Sequence, residues 1–96
     1  MKDREILRCL GKNIQAARLR AGLTQECLAE LVGIHWKTLS GIERGLYPCA
    51  VTNFIRIAQH LRVSTDSLVE GIEPPDARRT ASIQKAMARK RRPKAV

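Results

Sequence analysis

Aromatic side chains are almost absent: 96 residues hold one Trp, one Tyr and one Phe. Hydrophobic residues still make up 44%, so any core must be aliphatic. Cysteine is scarce too. Cys9, Cys27 and Cys49 are odd in number and none is part of a CxxC pair, which argues against a disulfide framework and against a four-ligand zinc site. Each lies in or near an apolar helical pattern and is expected to act as a small buried hydrophobe. His35 and His60 have no second ligand at metal spacing, so no metal is expected. There is no glycine-rich phosphate loop, no Cys/His pair at usable spacing and no concentration of carboxylates. No catalytic residue and no cofactor are therefore expected, and an enzyme is disfavoured. No apolar run approaches the roughly 18 residues of a membrane span. The opening MKDREILRCLGK carries acids and lacks an apolar h-region, so no signal peptide is expected and a cytoplasmic location follows.

What the chain has in excess is positive charge. Its formal net charge is +9 and its pI about 10.4, the electrostatic footprint of a nucleic-acid binder. The excess is uneven. Residues 1–70 hold ten Lys and Arg against seven Asp and Glu, whereas residues 71–96 hold eight against two. Charge alone does not make the body a DNA-binding unit.

The length suits one compact domain. Ile6, Leu7, Leu10, Ile14, Ala17 and Leu19 recur at mostly helical spacing over residues 4–20, with Gly22 as a stop. Thr24 can cap a second helix that carries Leu28, Ala29, Leu31 and Val32. Gly33 ends it after about two turns, and Ile34 follows as an apolar staple. A third helix starts near His35 or Trp36 and runs to Arg44, with Leu39 and Ile42 inward and Gly45 as its stop. Tyr47-Pro48 reads as a loop. A fourth helix spans about residues 51–61 on Val51, Phe54, Ile57, Ala58 and Leu61. Val63, Ser64 and Asp66 look like a linker and a cap for a short fifth helix with Leu68 and Val69. Gly71 and Pro74-Pro75 close the domain. No stretch alternates at period two, so no strand is expected. The expected organisation is a domain over 1–73 and a basic tail over 74–96, disordered or loosely helical, with Ile83 and Met87 as its only larger apolar residues before the last.

Gln25, Ala29, Gly33, Ile34, Leu39 and Ile42, with IERG at 42–45 and the later IAQHLRVSTDSLVEG, give the chain a recognisable pattern. It resembles the phage-repressor and Cro-like helix-turn-helix family, also called xenobiotic-response-element type, over roughly residues 8–71. The resemblance implies an all-α, five-helix, lambda-repressor-like domain whose helices 2 and 3 form the helix-turn-helix. It also implies that the third helix enters the major groove of double-stranded DNA. The base-reading residues would be Trp36, Lys37 and Ser40, with Gly41 as a base-facing position that has no side chain. Gln25 matches the phosphate-anchoring glutamine of the family. Thr24, His35, Arg44, Tyr47 and Asn53 are the other phosphate candidates, although Leu46 and Tyr47 stand where many relatives carry Lys or Arg. Arg18 and Glu43 match a structural ion pair between the first and third helices.

The function implied is a sequence-specific transcriptional regulator, expected to be a repressor that binds a (pseudo)palindromic operator as a homodimer. Leu68, Val69 and Ile72 are candidates for the two-fold contact, and the tail around Ile83 and Met87 competes with them. An antitoxin with a toxin partner, a restriction–modification controller, or an adaptor that has lost DNA binding would use the same domain.

Overall fold

The computed structural model describes residues 1–73 and 77–90. Among them are six helices and no strand: α1 (Asp3–Arg20), α2 (Gln25–Val32), α3 (Trp36–Glu43), α4 (Val51–Leu61), α5 (Thr65–Leu68) and α6 (Ala77–Lys90). The first five match the expected helices in order, and each boundary has a local cause. The Thr24 hydroxyl accepts from the Cys27 N–H at 3.1 Å and starts α2. The Ser64 hydroxyl accepts from the Ser67 N–H at 3.2 Å and starts α5.

Gly33 stops α2 in the left-handed region, with φ +88°. Its N–H and that of Ile34 both return to the Ala29 carbonyl, at 2.8 and 3.0 Å. A side chain at that φ would be strained, so glycine is what lets the chain turn at once into α3. At the end of α3, Leu46 N–H bonds Gly41 O and Gly45 N–H bonds Ile42 O, the paired closure of a Schellman motif with Gly45 at φ +71°. The same closure ends α4, where Val63 N–H reaches Ala58 O and Arg62 N–H reaches Gln59 O. There the left-handed residue is Arg62, at φ +55°.

The core joins α1 to α5 in one cluster of Ile14, Ala17, Leu28, Ala29, Val32, Leu39, Ile42, Ile57, Ala58, Leu61 and Leu68. It is aliphatic, as the composition requires. Leu10, Leu23, Ile34, Cys49, Phe54 and Val63 pack against its edge.

Some expectations fail at the level of faces. Leu19, Leu31 and Val51 were assigned to apolar stripes but are exposed, Val51 at 72%. Leu19 and Leu31 sit one position off the stripe that their helices bury, and Val51 is the first residue of α4, at the open end of its stripe. Cys27 is exposed and not a buried hydrophobe, because it lies in the first turn of α2 beyond the edge of the core. Leu68, expected at a dimer surface, is only 1% exposed and fills the core between α1 and α4. Part of the tail forms a regular 14-residue helix, α6. Residues 74–76 and 91–96 of the expected tail lie outside the described residues.

Candidate nucleic-acid interface

Helix α3 is fixed from its inward side. Arg18 of α1 donates from Nε to Glu43 Oε2 at 2.8 Å and from a terminal nitrogen to Glu43 Oε1 at 3.0 Å, a bidentate pair. Both side chains are almost fully buried. A further Arg18 nitrogen bonds the Leu23 carbonyl at 2.9 Å, which ties the α1–α2 turn to the same pair. Gln25 donates from Nε2 to Glu43 Oε1 at 3.1 Å. Glu43 thus accepts from α1 and from the start of α2 at once.

Two residues that sequence reasoning missed let α3 approach and keep its support in place. Gly11, in the middle of α1, lies against the backbone of α3. A Cβ there would overlap the carbonyl oxygens of Ile42 and Glu43. Asn13 donates to Leu68 O at 2.9 Å and Glu70 O at 2.7 Å, which pins the end of α5 to α1. The signals were present: a glycine inside a strong amphipathic helix, and an amide beside its apolar stripe.

The outward side carries the expected readers. Trp36 is 41% exposed and Lys37 is exposed, while Ser40 is half-buried and Arg44 is exposed. The Lys37 ammonium lies 5.9 Å from the centre of the Trp36 ring, within cation–π range. The His35 ring stacks on the other neighbour side of Trp36 at 6.0 Å. His35 is an effective cap in its own right, since Nδ1 accepts from the Lys37 N–H at 3.1 Å. A neutral imidazole that accepts at Nδ1 carries its proton on Nε2 and donates there.

Gly41 is not the empty reading position that its identity suggested. It is buried, and a Cβ on it would overlap Cζ, Oη and Cε1 of Tyr47. The Tyr47 hydroxyl donates to the Lys37 and Thr38 carbonyls, at 3.1 and 3.2 Å. A phenol has one proton to give, and a phosphate oxygen only accepts. In this geometry Tyr47 is therefore not the phosphate donor expected of it.

The remaining phosphate candidates differ in what they have free. Thr24 is exposed, and its hydroxyl spends an acceptor lone pair on the cap, which leaves its proton. Gln25 is half-buried with one amide hydrogen beyond the bond to Glu43. Asn53 lies half-buried in the first turn of α4. The Arg44 Nε bonds Ser40 O at 3.4 Å. The helix starts at Gln25 and Trp36 add partial positive charge. Among the described residues no group of His, Cys, Asp and Glu could hold a metal ion, and no helix is long and apolar enough to cross a membrane.

Solved structures place this arrangement among known regulators. The restriction-modification controller protein C.AhdI from Aeromonas hydrophila is 31% identical, with a TM-score of 0.62 over 65% of this chain and 94% of that one. A hypothetical transcription factor from Neisseria, NHTF, is 26% identical, with a TM-score of 0.64 over 84% and 90%. The SinR protein/SinI protein complex contains a chain 27% identical, with a TM-score of 0.62 over 83% and 80%. No curated protein sequence matches the chain. A helix-turn-helix family profile covers residues 14–68, from the buried Ile14 of α1 to the buried Leu68 of α5. The chain belongs to this family, HTH_3, the Cro/CI type of DNA-binding transcription regulator.

Proposed function

We propose that the chain is a sequence-specific repressor that lays α3 in the major groove and binds a (pseudo)palindromic operator as a homodimer. The observation that carries this reading is the division of α3 into two faces. Leu39, Ile42 and Glu43 are buried, while Trp36 and Lys37 on α3 and Arg44 at its end stay exposed, and the Arg18–Glu43 pair ties the helix to α1. Lys37 supplies donors for guanine O6 or N7. Trp36 offers an apolar face to a thymine methyl or a sugar. Ser40 adds a weak polar contact. Thr24, Gln25, His35 and Arg44 are the phosphate contacts, and Asn53 flanks them.

One reading helix spans few base pairs, so two half-sites about one helical turn apart supply affinity and specificity. With Leu68 in the core, the body's two-fold contact falls to exposed Val69 and half-buried Ile72, in competition with Ile83 and Met87 of α6. The domain boundary near residue 73 separates the reader from a basic segment that adds non-specific phosphate binding. Selection from a random duplex library tests the whole reading. A palindrome with two half-sites is expected, and no enriched site at low salt would end it.

A second reading is favoured by the likeness to C.AhdI. The chain would control a restriction–modification operon, with the same DNA-binding chemistry and a different set of target genes. Whether the selected site lies upstream of adjacent methylase and nuclease genes decides between the two.

A further inference from the structure

Glycine is a poorer intrinsic helix former than alanine, yet Gly41 sits inside α3. What it makes room for is Tyr47. The Schellman closure at Gly41–Leu46 turns the chain back along the helix. That motif commonly sets an apolar contact between its first and last residues. Here the first is a glycine, and Leu46 points away at 61% exposure. The next residue, Tyr47, crosses over Gly41 instead. Pro48 then restrains the Tyr47 backbone to extended conformations.

The ring rests on α3 at Gly41, with its hydroxyl against the Lys37 and Thr38 carbonyls. It is still 40% exposed. A loop residue thus stands where the helix itself has no side chain. Its chemistry is restricted as well. The hydroxyl proton is shared between the Lys37 and Thr38 carbonyls, so what the oxygen has left is acceptor capacity. In the major groove the groups that donate are the exocyclic amines, adenine N6 and cytosine N4. Guanine O6 and N7, thymine O4 and phosphate all accept.

We infer that Tyr47 is a specificity-determining residue. It fills the reading position vacated by Gly41 and accepts a hydrogen bond from the exocyclic amine of adenine or cytosine. This rests on α3 being the reading helix, and the experiment separates the two claims. Library selection and titration of the selected and a scrambled duplex are run on the full chain and on Tyr47→Phe, Gly41→Ala and Lys37→Ala. Tyr47→Phe keeps the ring and removes the acceptor. It is expected to relax preference at one A·T or C·G pair per half-site and to weaken the selected duplex about tenfold, with the scrambled duplex unchanged. Gly41→Ala displaces the ring and is expected to relax the same pair.

Equal weakening of both duplexes by Tyr47→Phe would make Tyr47 a backbone contact and overturn the inference. So would a lowered melting temperature with every preference intact, which is what a purely structural tether predicts. If Lys37→Ala alters preference while Tyr47→Phe and Gly41→Ala do not, the inference on Tyr47 falls and the reading helix stands. If wild type selects no site, both fall.

Discussion

Glu43 is a buried acceptor on which two other helices converge. It accepts from Arg18 twice and from Gln25 once, all while buried. Truncation to alanine strands the Arg18 guanidinium in the core, and Glu43→Ala is expected to destabilise the chain by about 3–5 kcal/mol in urea denaturation. Replacing both partners by apolar side chains of similar volume removes the stranded charge, so Arg18→Met with Glu43→Leu should recover most of that loss. A double variant as unstable as Glu43→Ala would show that the pair itself, not the orphaned charge, carries the energy. The cysteines separate at the same scale. Burial pushes the Cys49 thiol above its ordinary range. The thiolate is the reactive form, so its formation at Cys49 needs a higher pH. Iodoacetamide at pH 8 should alkylate exposed Cys27 well before Cys49, and raising the pH should narrow the gap, read by mass spectrometry of the peptides.

Helix ends carry the next set of consequences. The left-handed residue that closes α4 is Arg62, where a Cβ is strained by about 1–2 kcal/mol. Arg62→Gly relieves that strain but frees the unfolded chain. The expected net gain is about 0.5 kcal/mol, seen as a rise of a few degrees in melting temperature. Gly11 works in the opposite sense. Any Cβ there meets the α3 backbone, so Gly11→Ala must push α3 away from α1. A loss of about 1–3 kcal/mol is expected, with weaker DNA binding even where the variant is fully folded.

Helices and their order were legible because apolar spacing, caps and stop glycines all act over a few neighbouring residues. Gly33, Thr24 and Ser64 did locally what their chemistry allows. What stayed hidden depends on contacts between distant segments. Leu68 looked exposed in a four-residue helix because only the packing of α1 and α4 around it decides its burial. Gly41 looked like a vacancy because a residue six positions later fills it. Gln25 was legible as the first residue of a helix, but its bond to Glu43 was not, since nothing local links residues 25 and 43.

At the scale of the whole molecule, much of the positive charge lies outside the domain, with eight of the eighteen Lys and Arg in residues 71–96. Helix α6 carries Arg78, Arg79, Lys85, Arg89 and Lys90 with no acid, and Ile83 and Met87 half-exposed one turn apart. The full chain should therefore bind random duplex in a strongly salt-dependent way, with log K falling by about 0.9 per log unit of salt for each phosphate engaged. Lys85→Gln with Arg89→Gln should flatten that slope by up to about two contacts and leave the selected site sequence unchanged. For the homodimer proposed above, sedimentation equilibrium on Ile83→Ser with Met87→Ser tests the two candidate contacts. Dissociation to monomers would favour α6, and an unchanged dimer would favour Val69 and Ile72.

The seating of Tyr47 on Gly41 also bears on how such a regulator changes its target. Most outward positions of α3 accept a new side chain singly, so recognition at Trp36 or Lys37 can drift one codon at a time. Position 41 is different, because any larger residue there must displace the Tyr47 ring and so alters two positions at once. A new preference at that base pair is therefore set jointly by residues 41 and 47. That interdependence would make this one letter of the operator slower to rewrite than its neighbours.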